Sequence, residues 1–147
     1  MDKGVYCLIF ENQGSTVRVG ALGERAFSAG WHIYTGSALG SGGLKRPDRH
    51  VSLSQKHNKR PKWHIDYLLT DPHFSLRYVV CAPTTDRLEC SLARNIGEPG
   101  IPGFGCSDCS CSTHLFFRGR DPREEILAAF RDLQLVPVVK SIISHDD

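Results

Sequence analysis

Tyr6, Tyr34, Arg46, His50 and Glu89 stand in that order along a chain of 147 residues, and together their types could do chemistry on a phosphate ester. Cutting a phosphodiester needs a deprotonated nucleophile, neutralised charge on the phosphate and a stabilised leaving oxygen. One carboxylate holding Mg²⁺ can meet the last two needs, because Mg²⁺ keeps most of its waters and takes few protein ligands. Glu89 is the candidate for that carboxylate. An arginine clamps a phosphate with its planar fork, and Arg46 is the candidate there. A tyrosine near the metal serves as base or relay if its pKa is lowered. Each residue also has an ordinary reading. The tyrosines suit strands, Glu89 could simply cap its own helix for about 0.5–1 kcal/mol, and Arg46 belongs to a basic cluster.

Two further groups carry chemical potential. Trp63-His64-Ile65-Asp66-Tyr67 puts His64 and Asp66 two apart, on different sides of a helix, so they do not form one dyad. His64 could face a nucleic acid or act as an acid, or the run could be a buried Trp and Tyr with polar neighbours facing water. Cys106, Cys109, Cys111 and His114 could complete a tetrahedral Zn²⁺ site. Their spacing is not a usual finger pattern, and the reading preferred over zinc is a loop near the site with mostly unligated thiols. A redox-labile pair is a third option.

Charge distribution supports a phosphate partner. Between Lys45 and Lys62 the seven basic residues Lys45, Arg46, Arg49, Lys56, Lys59, Arg60 and Lys62 face only Asp48. The rest of the chain carries eleven basic and fifteen acidic residues. A concentrated positive segment on an acidic body is the footprint of a phosphate-backbone binder, although a solvated basic loop gives the same composition. No run of about 18 apolar residues suggests a membrane span. The N-terminus lacks the layout of a secretory signal, which predicts a cytoplasmic protein. Six cysteines in such a chain argue against a disulfide framework, and Cys7 and Cys81 read as core residues.

The elements that must position these residues follow from periodicity. Gly4–Phe10 reads as a strand, Thr16–Gly20 as its return strand in a hairpin, and Trp31–Tyr34 as a third strand. Arg46–Gln55 reads as a helix with Pro47 in its first turn, which places Arg46 at the start of that helix. Trp63–Leu69 reads as a short helix and Leu76–Ala82 as a strand. Thr85–Ile96 carries a capping pattern from Asp86 to Glu89. Leu115–Arg118 reads as a strand, Asp121-Pro122-Arg123-Glu124 as a helix start with a stripe of Ile126, Leu127, Phe130 and Leu133, and Val136–Ile143 as a last strand. The sum is one small α/β (α+β) domain over residues 1–147, with a mainly antiparallel sheet flanked by helices.

With those residues placed, Gly4-Val5-Tyr6 and Tyr34-Thr35-Gly36 resemble the signature strands of GIY-YIG nucleases. Arg46-Pro47-Asp48-Arg49-His50 is similar to that superfamily's Arg-x-x-x-His helix, and Glu89 sits where its metal-binding glutamate follows. Residues 4–6, Gly30–Gly40, Lys62–Leu69, Glu89-Cys90 and Gly103–Leu115 resemble its Uri-superfamily branch, sometimes fused to endonuclease-III-like repair glycosylases. The resemblance covers residues 4 to about 118, leaving a C-terminal helix and tail. It implies a GIY-YIG-like fold and a Mg²⁺- or Mn²⁺-dependent endonuclease acting on DNA, with RNA left open, a role in repair and a repair-protein partner. It further implies Tyr6 as general base or relay, Tyr34 positioning it, Arg46 holding the scissile phosphate, His50 assisting proton transfer and Glu89 as metal ligand. Lys45, Arg49, Lys56, Lys59, Arg60, Lys62 and His64 are the candidates for nucleic-acid binding. The competing readings are an inactive nucleic-acid-binding module of this fold and a small zinc-binding interaction domain.

Overall fold

The computed structural model describes residues 3–40, 43–56, 60–61, 63–105 and 113–142. Among these residues seven strands and four α-helices follow one another as β1 (Gly4–Asn12), β2 (Ser15–Arg18), β3 (Glu24–Phe27), β4 (Gly30–Ala38), α1 (Lys45–Lys56), α2 (His64–Leu69), β5 (Phe74–Pro83), α3 (Glu89–Ile96), β6 (Leu115–Arg118), α4 (Arg123–Arg131) and β7 (Val138–Ser141). Five strands form an antiparallel sheet in the order β6-β4-β1-β5-β7. The molecule is thus an α+β domain with helices flanking an antiparallel sheet.

The central strand β1 shows why. Its residues Val5, Tyr6, Cys7, Leu8, Ile9 and Phe10 are all buried, as a strand covered on both faces requires. Alternation then divides them. Tyr6, Leu8 and Phe10 pack with Ile65, Leu68 and Leu69 of α2. Val5, Cys7 and Ile9 pack with Leu92 and Ile96 of α3 and Ile126 and Phe130 of α4. The sheet therefore separates α1 and α2 from α3 and α4. Cys7 and Cys81 are free and buried, as core residues. No described helix is long and apolar enough to cross a membrane.

Three local expectations change. Residues after the first turn do not return onto β1. They pair with β3 as a separate two-stranded sheet, from Ser15↔Phe27 to Arg18↔Glu24, while β1 takes β4 and β5 as neighbours. β1 is buried on both sides, so its pairing partners are the strands that complete the core. Helix α3 begins at Glu89, with no side-chain capping bond at Leu88. Asp86 lies before it, its N–H donating to Thr84 Oγ1. The capping box is therefore not formed and Glu89 is not occupied as a cap. Helix α4 begins at Arg123, one residue later than Pro122, although Asp121 Oδ1 does accept the Arg123 N–H at 3.1 Å.

Candidate active site

One end of the sheet carries an open cavity of about 350 Å³. Tyr6 reaches it from β1, Tyr34 from β4, Arg46 and His50 from α1, and Glu89 from the first residue of α3. The five residues singled out for phosphate chemistry thus line a single space. His64, Trp63, Arg87 and His114 line it as well.

Tyr6 lies opposite Gly36 in the β1–β4 register. A Cβ built on Gly36 would sit 2.5 Å from the Tyr6 Cζ and 2.6 Å from its hydroxyl. The ring crosses the neighbouring strand where a side chain is missing, and the last residue of the Tyr34-Thr35-Gly36 triplet makes that crossing possible. The Tyr6 hydroxyl meets His50 Nε2 at 2.9 Å. Both side chains are buried, Tyr6 at 1% and His50 at 3% exposure.

Burial governs their protonation. Desolvation raises the Tyr6 phenol well above its ordinary value, with Tyr34 and Glu89 adding to the rise and Arg46 opposing it. The condition set for Tyr6 to act as a base, a lowered pKa, is not met among the protein's own groups: an anion this deep loses solvation. Desolvation also lowers His50 to about 4, so its imidazole is neutral at physiological pH. The pair is a neutral phenol hydrogen-bonded to a neutral imidazole.

Arg46 is in the first turn of α1, where Pro47 costs no hydrogen bond. Its Nη1 donates to the Ser37 carbonyl at 3.2 Å and its guanidinium lies 5.2 Å from the Trp63 ring centroid. Arg49 lies 6.0 Å from the same ring. Trp63 itself is 38% exposed, contrary to the reading of a buried tryptophan at this position. Asp66 is buried and accepts the Trp63 N–H through Oδ2 at 3.0 Å, so it organises its own helix, apart from His64. Lys45, Arg49, Lys56 and Arg60 are exposed, while Lys59 and Lys62 fall outside the described residues.

A second side of the cavity is built by the loop leading to β6. Gly105 N–H donates to His64 Nδ1 at 2.8 Å, and the His64 ring packs edge-on to Phe104 at 5.5 Å. Phe104 also meets the Tyr34 ring at 6.2 Å. His114 is buried, its carbonyl accepts the Thr35 N–H at 2.9 Å, and its Nε2 lies 3.7 Å from Cys90 Sγ. Cys90 is disulfide-bonded, which departs from the expectation that the chain's cysteines do not form disulfides. Cys106, Cys109 and Cys111, offered with His114 as a zinc set, lie outside the described residues.

Glu89 is half-buried and is the carboxylate among the described residues of the lining. Among the described residues no group of three or more His, Cys, Asp or Glu is arranged around a metal. A single carboxylate at an open cavity does not form such a group, and it does suit an ion that keeps several waters. The donor set therefore fits Mg²⁺ or Mn²⁺ better than an ion that needs four protein ligands.

Sequence reasoning passed over Arg87 and cast His114 only as a zinc ligand. Arg87 is two residues before Glu89, with no spacing that marks it. His114 reaches the site through the Thr35–His114 backbone bond, a long-range pairing with no local signature.

The molecule is therefore an α+β domain with a polar cavity at one end of an antiparallel sheet, lined by two tyrosines, arginines, histidines and one carboxylate. Residues 5–135 match the family described as "Domain of unknown function DUF123", and the chain belongs to that family. No curated protein and no solved structure matches it.

Proposed function

We propose that this chain is a divalent-metal-dependent endonuclease of the GIY-YIG kind, hydrolysing phosphodiester bonds of DNA. The observation that carries the reading is convergence. Tyr6, Tyr34, Arg46, His50 and Glu89 come from β1, β4, α1 and α3, up to 83 residues apart in sequence, and line one cavity. Separate structural explanations for each residue do not account for that meeting.

The chain's residues then take these roles. Glu89 would hold the metal through its carboxylate. When bound, the ion would neutralise charge on the phosphate and polarise a water. Arg46 binds a non-bridging phosphate oxygen, its guanidinium oriented by the Ser37 carbonyl and the Trp63 ring. The Tyr6 hydroxyl is held by the neutral His50 Nε2 and is placed to relay a proton within the cavity; because His50 resists protonation, the imidazole orients the phenol and is not the final proton acceptor. Of the two roles the resemblance offered Tyr6, the relay is the one its raised pKa favours. Tyr34 lies beside Tyr6 and fixes the cavity wall with Phe104. The exposed residues Lys45, Arg49, Lys56 and Arg60 supply backbone contacts outside the cavity. Action in the cytoplasm, a role in repair and a repair-protein partner rest on the sequence and its resemblance.

Glu89→Gln is the decisive substitution. It removes the charge, keeps the shape and disturbs no capping bond. Cleavage of branched, duplex or single-stranded DNA in Mg²⁺ or Mn²⁺ should fall by two or more orders of magnitude, the scale set by losing a transition-state electrostatic contact. Melting temperature and DNA affinity in metal-free buffer should stay near wild type. A Glu89→Gln protein that cuts as fast as wild type defeats the assignment. A wild type that binds DNA and cuts no substrate in either metal leaves a binding module in its place.

A further inference from the structure

The loop at residues 103–105 does something specific to His64. A backbone N–H can only donate, so the 2.8 Å contact from Gly105 N requires a lone pair on His64 Nδ1. In a neutral imidazole the one ring proton is then on Nε2. The edge-on contact with Phe104 fixes the ring plane. The amide itself is anchored on backbone that needs glycine: Gly105 has φ +73°, and a Cβ there would lie 3.3 Å from both Tyr34 and His114.

We propose that His64 is locked as the Nε2–H tautomer and presents that N–H to a non-bridging oxygen of the bound phosphate, as a hydrogen-bond donor and not as a proton donor. The identity of the anion rests on the nuclease reading above; the tautomer does not. Protonating Nδ1 would set one N–H against another and forfeit the Gly105 bond, so the imidazolium is disfavoured by geometry. Desolvation acts in the same direction, lowering the His64 pKa. The charged and titratable groups facing the same cavity are Arg46, Arg87, Glu89, His50, His114, Tyr6 and Tyr34. Two guanidiniums against one carboxylate leave a net attraction for an anion without a charged His64. The sequence reading allowed His64 to be an acid; on this proposal it acts as a hydrogen-bond donor instead.

The test reads the tautomer directly. Uniformly ¹⁵N-labelled full-length protein is examined by long-range ¹H–¹⁵N correlation of its histidine rings, with His64→Gln identifying the His64 signals among the seven histidines. The expected pattern near neutral pH is a protonated Nε2 and an unprotonated Nδ1, with the imidazolium appearing only below the ordinary histidine value. Inorganic phosphate and a short single-stranded oligodeoxynucleotide are then titrated in metal-free buffer. Either should shift the His64 Nε2–H resonance. His64→Ala should weaken oligonucleotide binding roughly tenfold, the worth of one hydrogen bond to an anion, and His64→Gln, which keeps an N–H donor, should recover most of it. An Nδ1–H tautomer, an imidazolium near neutrality, or resonances unmoved by both anions overturns the proposal. A protein that shows the locked tautomer and the shifts but cuts nothing sinks the nuclease reading and leaves this one standing. Vigorous cleavage with a charged His64 does the reverse.

Discussion

The Tyr6 ring crosses the backbone of Gly36 on the next strand, and the hydroxyl it delivers reaches His50 at 2.9 Å. A methyl group at Gly36 would occupy the same space as the phenol, so Gly36→Ala must push the ring aside. The stability cost of that overpacking is roughly 1–3 kcal/mol, read as a lower urea midpoint. DNA affinity, which on the proposed reading rests on the exposed cations, Arg46 and His64 and not on Tyr6, should hold within about threefold. Cleavage should fall at least as far as in Tyr6→Phe, because the displaced hydroxyl no longer meets the imidazole. A Gly36→Ala protein with wild-type cleavage would mean that the Tyr6–His50 pairing is dispensable. At this scale the sequence was informative about identity and poor about state. The five residues could be picked by type and order, and each does line the cavity. That Tyr6 is a neutral phenol could not be read, because a pKa depends on burial and on Tyr34, Glu89 and Arg46, whose closeness is a product of folding. The tautomer of His64 was hidden for the same reason: Gly105 is 41 residues away.

Helix α1 has two jobs that its sequence separates. Its first turn, with Arg46, and its buried His50 belong to the cavity, while Lys45 and Lys56 are exposed on it and Arg60 is exposed beyond it. Replacing Lys45, Lys56 and Arg60 together by Ala should leave the helix in place, since none of the three is buried and Ala is a better helix former. DNA binding should weaken, and the slope of log affinity against log salt should flatten by roughly two to three, close to one for each phosphate no longer neutralised. Fluorescence anisotropy between about 50 and 200 mM salt measures it. An unchanged slope places the DNA on another face. The two helices α1 and α2 were legible because Pro47 and the Thr70-Asp71-Pro72 stop are local signals. Thr16–Gly20 was read as the return strand of β1 because alternation marks a strand and not its partner, and the short strand Glu24–Phe27 that β2 does pair with was not read at all. The start of α3 was placed too early, since Asp86 and Glu89 have the spacing of a capping box without the bond. That error matters, for a glutamate that is not capping has its carboxylate left for the cavity.

Across the whole molecule, buried neutral imidazoles set the response to acid. His50 is 3% exposed and His32 is fully buried. Burial holds the folded-state pKa of His50 near 4 and lowers that of His32, whereas an unfolded histidine titrates near about 6.5. The sign follows. Above the unfolded value neither state holds the proton, and the full stability is present. As pH falls below about 6.5 the unfolded chain takes up protons that the folded chain refuses, so stability drops. For His50 the loss is complete only once pH has passed through about 4. At about 1.4 kcal/mol per pH unit over that interval, His50 alone accounts for roughly 3 kcal/mol at most, a large share of the 5–15 kcal/mol typical of a small domain. His50→Gln keeps an amide that can hydrogen-bond the Tyr6 hydroxyl but does not titrate. It should be less stable than wild type near pH 7.5, because the cavity wall is repacked, and it should lose less stability on going to about pH 4.5. Urea unfolding of both proteins at several pH values across that range measures the difference, with the carboxylates common to both cancelling. Parallel curves for the two proteins would mean that the His50 imidazole is hydrated in the folded state and that the Tyr6–His50 contact is not the dry pair its burial describes.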